Sequence, residues 1–148
     1  MNTIVIRCDS SIYIGSGHVF RTRTLARDLR CLGFDVIFMC RPHVGSLINI
    51  LKLEFTVLEL PIHLAVNPLG HQGRDFYSAC LASTQEEDAA QCVALLQAAQ
   101  VKNIKWLIVD HYGLDIVWEK QIFEGLSHFN STIEPRLFVI DDLADRKH

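Results

Sequence analysis

Between an apolar run and a helical pattern the chain reads Ile14-Gly15-Ser16-Gly17-His18-Val19-Phe20-Arg21. A glycine pair lets the backbone turn tightly and approach a ligand closely. If a helix begins here, its free N–H groups and positive dipole end suit a phosphate. The same dipole disfavours imidazolium, so His18 would tend to stay neutral and could accept a proton. Arg21 lies one turn along on the same helical face, where it could hold negative charge. A bland reading competes: Gly15 and Gly17 only shape a turn, and His18 caps the helix. A dinucleotide site wants G-x-G-x-x-G, but Phe20 stands at the third glycine position. The third apolar run ends in Glu59-Leu60-Pro61-Ile62-His63, with no clear acid for a ribose. A nicotinamide or flavin role is therefore not expected, and neither is any other cofactor.

Further polar groups stand where other apolar runs end. They are Arg7, Cys8 and Asp9; Arg41 and Pro42; Asp110, His111, Tyr112 and Gly113; and Asp141 and Asp142, with Arg146 nearby. Singly, each has a structural explanation: Asp110 could cap a loop, and Asp142 could simply be solvated. Their coincidence at four of five run ends favours a shared rim of titratable groups.

The runs themselves are Thr3–Cys8, Asp35–Cys40, Phe55–Leu60, Lys105–Asp110 and Arg136–Asp141. They are short, rich in β-branched residues and mostly apolar on both faces, as in buried parallel strands. Helical patterns separate them: His18–Leu32, Val44–Leu53, Gln85–Gln100 and Leu114–Phe129. Ser83/Glu86 or Thr84/Glu87 could open the third as a capping box. Such alternation predicts an α/β fold, a Rossmann-like doubly wound parallel sheet with helices on both faces. The polar run ends then converge on the carboxyl edge of the sheet. At about 100° per residue, His18, Arg21, Thr22, Leu25, Leu29 and Leu32 form an inward stripe, with Arg23, Arg27 and Arg30 on a solvated face. Pro61 to Leu81 does not fit the alternation. It reads as a long loop, such as a lid or binding loop, or as a wrong assignment.

The chain has 148 residues, 49% hydrophobic and 21% charged, with net charge −3. A domain of this size buries roughly 70% of its unfolded surface, enough for a full core. No Lys/Arg run suggests a nucleic-acid partner. No apolar run approaches the ~18 residues of a membrane span, and no signal peptide is read at the N-terminus. The five cysteines, Cys8, Cys31, Cys40, Cys80 and Cys92, include no CxxC. They read as reduced, mostly buried thiols of a cytoplasmic protein, and no metal site is expected.

Arg7-x-Asp9, Ile14-Gly15-x-Gly17-His18-x-x-Arg21, Leu25-Ala26 and Leu29 form one block. Val109-Asp110-His111-Tyr112-Gly113-Leu114-Asp115, with Trp118-Glu119, forms a second. Val139 to Arg146 forms a third, and Asp88-Ala89 lies between. Together these resemble the UDP-2,4-diacetamido-2,4,6-trideoxy-β-L-altropyranose hydrolases of pseudaminic acid biosynthesis, the PseG family. The blocks run in order from Arg7 to Arg146. The resemblance implies a two-domain GT-B-type fold, of which residues 1–148 would be the N-terminal half. It implies release of UDP and free sugar by water attack at the anomeric carbon, with inversion and without metal. It makes His18 the catalytic base. Arg7, Asp9, Gly15, Gly17, Arg21, Asp110, His111, Tyr112 and Asp141 become substrate-binding candidates. Many relatives carry W-L-G where this chain has Cys80-Leu81-Ala82. The family's nucleotide-binding C-terminal domain is expected to be absent here, making the chain a fragment, a split-gene product or a remnant. Its partner would be a UDP-linked diacetamido sugar, with a separately encoded C-terminal domain or self-association through residues such as Phe20. The rival readings are a glycosyltransferase domain like that of peptidoglycan synthesis (MurG-like), and a non-catalytic sugar-binding or assembly module.

Overall fold

The aliphatic runs become five strands: β1 (Thr3–Cys8), β2 (Asp35–Cys40), β3 (Thr56–Glu59), β4 (Ile104–Asp110) and β5 (Arg136–Val139). The structure is a computed structural model that describes residues 1–62, 67–128 and 134–148. All strand pairs are parallel, in the order β3-β2-β1-β4-β5. Among the described residues, five α-helices accompany them: α1 (Gly17–Cys31), α2 (Ile48–Lys52), α3 (Gly73–Leu81), α4 (Gln85–Ala98) and α5 (Ile116–Ser127), with a 3-10 turn at Pro68–Gly70.

Side-chain alternation along β1 divides the core in two. Ile4, Ile6 and Cys8 pack with Val36, Phe38 and Cys40 against Val19 and Ala26 of α1 and Ile48 and Leu51 of α2. Val5 packs with Met39, Leu107 and Val109 against Ala89, Cys92 and Leu96 of α4 and Trp118, Ile122 and Leu126 of α5. Helices therefore cover both faces, as the strand–helix alternation predicts. The sheet grows from β1 to β3 on one side and from β4 to β5 on the other. The direction reverses between β1 and β4, and a crevice opens beyond the carboxyl ends of such a pair.

Several expectations are corrected. Pro61–Leu81 is not one long loop, because it contains α3. Phe76/Cys80 and Tyr77/Leu81 recur at four-residue spacing, the helical period that the flanking turn residues obscured. The second helix starts at Ile48 rather than Val44, since Gly45 turns with φ +78° and a Cβ there would lie 2.7 Å from Ile12 Cγ2. On α1, Val19 and Ala26 are buried, whereas Leu32, expected inside, is 74% exposed just past the helix end. Arg23 and Arg27 are not merely solvated. Both pair with the Glu54 carboxylate, and Arg30 donates to the Glu54 carbonyl. Thr84 is the N-cap of α4, accepting from Glu87 N–H at 3.1 Å, which selects one of the two predicted registers. The predicted helix end at Phe129 lies outside the described residues. All five cysteines are free; four are buried and Cys31 is exposed. Among the described residues, no helix is long and apolar enough to cross a membrane.

Candidate active site

The join between β1 and α1 is built by Ser11. Its Oγ accepts from the N–H groups of Tyr13 and Ile14 at 3.1 and 2.9 Å, and its carbonyl accepts from Gly15 N–H at 2.9 Å. Gly15 closes this turn at φ +81°, a conformation that favours glycine. Gly17 has no such requirement, and a Cβ there would meet nothing within 4 Å. The space beyond it is open, as it is beyond Gly15, but its backbone carries no positive φ. Ser16 precedes α1 without a side-chain capping bond, so the first N–H groups of the helix receive no side-chain acceptor from it.

His18 does not cap the helix. Its Nδ1 lies 2.5 Å from Asp110 Oδ1 at the end of β4. Arg21 grips the same carboxylate through Nε at 2.5 Å and Nη2 at 2.6 Å. Burial alone would raise the Asp110 carboxyl, but the hydrogen bonds from Arg21 and His18 hold it below the usual carboxylate range. Arg21 is accordingly not a free cation, because Asp110 and, at 3.5 Å, Asp142 neutralise it. Its Nη2 also donates to Tyr112 Oη at 3.2 Å, and the Tyr112 hydroxyl donates to Asp142. The Tyr112 ring meets the His18 ring edge-on at 4.5 Å between centroids. Among the described residues, no side chain or backbone group bonds His18 Nε2.

His18 borders a cavity of about 160 Å³. Tyr13 and Ile14 bound it from the Ser11 turn, Phe76, Tyr77 and Cys80 from α3, and His111 and Tyr112 from the end of β4. The arrangement offers one unpartnered imidazole nitrogen beside a mostly aromatic wall. A histidine oriented at Nδ1 by a carboxylate can take a proton at Nε2.

Beneath the rim lies a buried ionic layer. Arg7 binds both oxygens of Asp9, at 2.5 and 2.9 Å, and both oxygens of Asp88, at 3.1 and 2.8 Å. Arg41 donates to Asp88 at 2.7 Å from its side chain and to Asp9 at 2.7 Å from its backbone. Trp118 Nε1 adds a fourth N–H donor to Asp88, at 2.9 Å. Burial would raise the Asp9 carboxyl, yet Arg7, His111 and His43 hold it well below its ordinary value. Arg7 and Asp9 are fully buried and do not line the cavity, so they pair with each other and support the rim from below. Asp141 also lies outside the cavity. It accepts from Leu143 N–H at 3.0 Å and pairs with Arg146 and His148, each at 3.2 Å. Its neighbour Asp142 is the one that reaches Tyr112 and Arg21.

Sequence reasoning did not place Tyr13, Phe76, Tyr77 and Cys80 at the site. For the last three, the signal was the helical spacing within Gly73–Leu81. Asp88 stands out in the sequence only as part of a motif. Among the described residues, no group of three or more His, Cys, Asp or Glu side chains could hold a metal ion.

No family model matches the chain. The chain is 28% identical, over 119 residues and 80% of its length, to the UDP-2,4-diacetamido-2,4,6-trideoxy-β-L-altropyranose hydrolase of Campylobacter jejuni subsp. jejuni serotype O:2. It spans 31% of that protein's length. Motif order and overall similarity thus agree in what the chain is similar to: a UDP-2,4-diacetamido-2,4,6-trideoxy-β-L-altropyranose hydrolase.

Proposed function

We propose that this chain supplies the catalytic base and the sugar-facing wall of a nucleotide-sugar hydrolase. The single observation that carries the reading is His18, tied at Nδ1 to Asp110 and open at Nε2, on a cavity at the β1/β4 switch point. Neutral His18 takes a proton from water at Nε2. The water oxygen attacks the anomeric carbon from the face opposite the leaving group. The anomeric C–O bond breaks, and its electron pair departs on the terminal phosphate oxygen of UDP. Attack from the opposite face inverts configuration. Asp110 fixes the ring and stabilises the imidazolium that forms. The N-terminus of α1 faces developing negative charge with its dipole. The substrate drawn from the relative's name is the UDP-linked diacetamido trideoxy sugar, and the product is 2,4-diacetamido-2,4,6-trideoxy-L-altrose.

Arg21 and Arg146 at the rim, and Arg7 and Arg41 beneath it, are each paired with carboxylates. This favours a division of labour in which the nucleotide is held chiefly by a separate domain, consistent with the 31% coverage of the relative. Proton NMR of the UDP-sugar mixed with the chain, without any acceptor, tests the reading. Free sugar appearing first as the inverted anomer supports it. Consumption only when an acceptor sugar is added would favour a glycosyltransferase. Saturable shifts with no consumption would favour a sugar-binding module.

A further inference from the structure

Two histidines border the same cavity, each beside a buried aspartate, and they are wired in opposite senses. Asp110 takes the Nδ1 side of His18 and leaves Nε2 open. At His111, Nδ1 accepts the Gly113 N–H at 2.9 Å, while Nε2 lies 3.1 Å from Asp9 Oδ2, off the line of a good hydrogen bond. A ring nitrogen that accepts a peptide N–H has its lone pair occupied. It cannot take a proton without breaking that bond. The surroundings favour the same state. His111 is 4% exposed, and burial pushes its pKa down against the pull of Asp9, with Arg7 and His18 adding to the fall. The groups acting on it are Asp9 and Arg7 from the β1 end and His18 from α1, while His43, beyond β2, reaches Asp9. Asp9 is already engaged by both Nη atoms of Arg7, by the Arg41 N–H and by His43 Nε2 at 3.2 Å.

Gly113, held by the ring through its N–H, shows what this segment approaches. A Cβ there would come within 2.6 Å of the Tyr77 carbonyl oxygen and 3.0 Å of His111 Cε1. The β4 end and α3 are therefore in direct contact through Gly113. The Tyr77 ring meets Tyr112 edge-on at 5.2 Å, and Tyr112 meets His18.

We infer that His111 is a positioning residue, fixed as the neutral Nε2–H tautomer, that clamps the β4 end against α3 and so sets the aromatic wall facing His18. It is not a second acid–base group. The functional consequence rests on reading His18 as the base, but the tautomer and the clamp do not.

The test is ¹⁵N NMR of the histidine rings in the full chain from about pH 5 to 8, where an unperturbed imidazole titrates. His111 should remain the neutral Nε2–H form throughout. An imidazolium or an Nδ1–H tautomer in that range would overturn the inference. Two variants then address the clamp. His111→Asn places an amide oxygen where Nδ1 accepts, and His111→Leu removes the acceptor. The Tyr77 and Tyr112 ring signals should move in the Leu variant and stay near their original positions in the Asn variant. Unmoved rings in both variants, or equal displacement in both, would refute the clamp. These readouts need no turnover, so failure of the hydrolase reading and failure of this inference are separable.

Discussion

Replacing Asp88 with asparagine removes one charge and almost no volume from the layer that supports the site. Asp88 accepts N–H bonds from Arg7 Nε and Nη2, Arg41 Nη2 and Trp118 Nε1, at 2.7 to 3.1 Å. An amide has a single acceptor oxygen, and its NH₂ group would face guanidinium donors. At least some of the four bonds must go, and bonds to charged groups contribute about 1.5–3 kcal/mol each. With His neutral, the charges of Arg7, Arg41, Asp9 and Asp88 sum to zero, so the variant leaves one uncompensated positive charge in the interior. Breaking a buried pair by removing one partner costs roughly 3–5 kcal/mol. A domain has only about 5–15 kcal/mol in total. With a urea slope of about 1–3 kcal/mol per molar, the unfolding midpoint should fall by about 1–5 M. The pH dependence follows from the same geometry. Burial alone would raise the Asp88 carboxyl, but Arg7 and Arg41 hold it below its ordinary value. The charge contribution is therefore complete above the unfolded carboxylate pKa of about 3.9 and is lost as pH falls through the folded value. The gap between wild type and Asp88→Asn should narrow in acid. A midpoint shift under about 0.3 M near neutral pH would refute the reasoning and show that water or local rearrangement compensates the layer.

Ala82, at the α3 C-cap, adopts φ +56°, which costs a non-glycine residue about 1–2 kcal/mol. Even after the added unfolded-state entropy of glycine, about 0.4–1 kcal/mol, Ala82→Gly should raise the thermal midpoint slightly, by calorimetry. Gly15→Ala should lower it by a similar strain cost, because Gly15 sits at φ +81°, whereas Gly17→Ala should leave it unchanged or raised. Any loss of UDP-sugar affinity in Gly17→Ala, read by calorimetric titration, would then report close approach of the ligand. Glu54, held down to about 2 first by Arg27 and then by Arg23, contributes fully above its ordinary pKa of about 4.3. That contribution fades as pH falls towards about 2, so Glu54→Gln should remove part of the acid sensitivity seen in pH-dependent melting.

Much of this architecture is readable from residue type and spacing. The β-branched runs are apolar on both faces because both faces of the sheet are covered, and that is also why Arg7 ends up buried although it reads as a rim residue. The position of His18 follows from the Gly15 turn and the inward stripe of α1. The partner of His18 does not. Asp110 arrives from the end of a strand 92 residues away, and only the β1–β4 pairing brings the two together. The choice between Asp141 and Asp142 was also hidden. β5 ends at Val139, so strand alternation no longer dictates which carboxylate faces the rim. α3 was obscured by the turn-rich sequence before it, and with it the aromatic wall.

The central claim is that His18 accepts the proton of the attacking water. The most direct measurement mixes the chain, in excess, with the UDP-sugar and follows UDP release in a single turnover for wild type and His18→Asn. The excess matters because positioning can account for roughly 7–11 kcal/mol of a barrier, and excess protein keeps the sugar bound during the turnover. The account predicts that wild type releases UDP faster than buffer and that His18→Asn loses this acceleration, by about 10²–10⁴-fold where the signal allows, while still binding the sugar. Equal release by both proteins would contradict it.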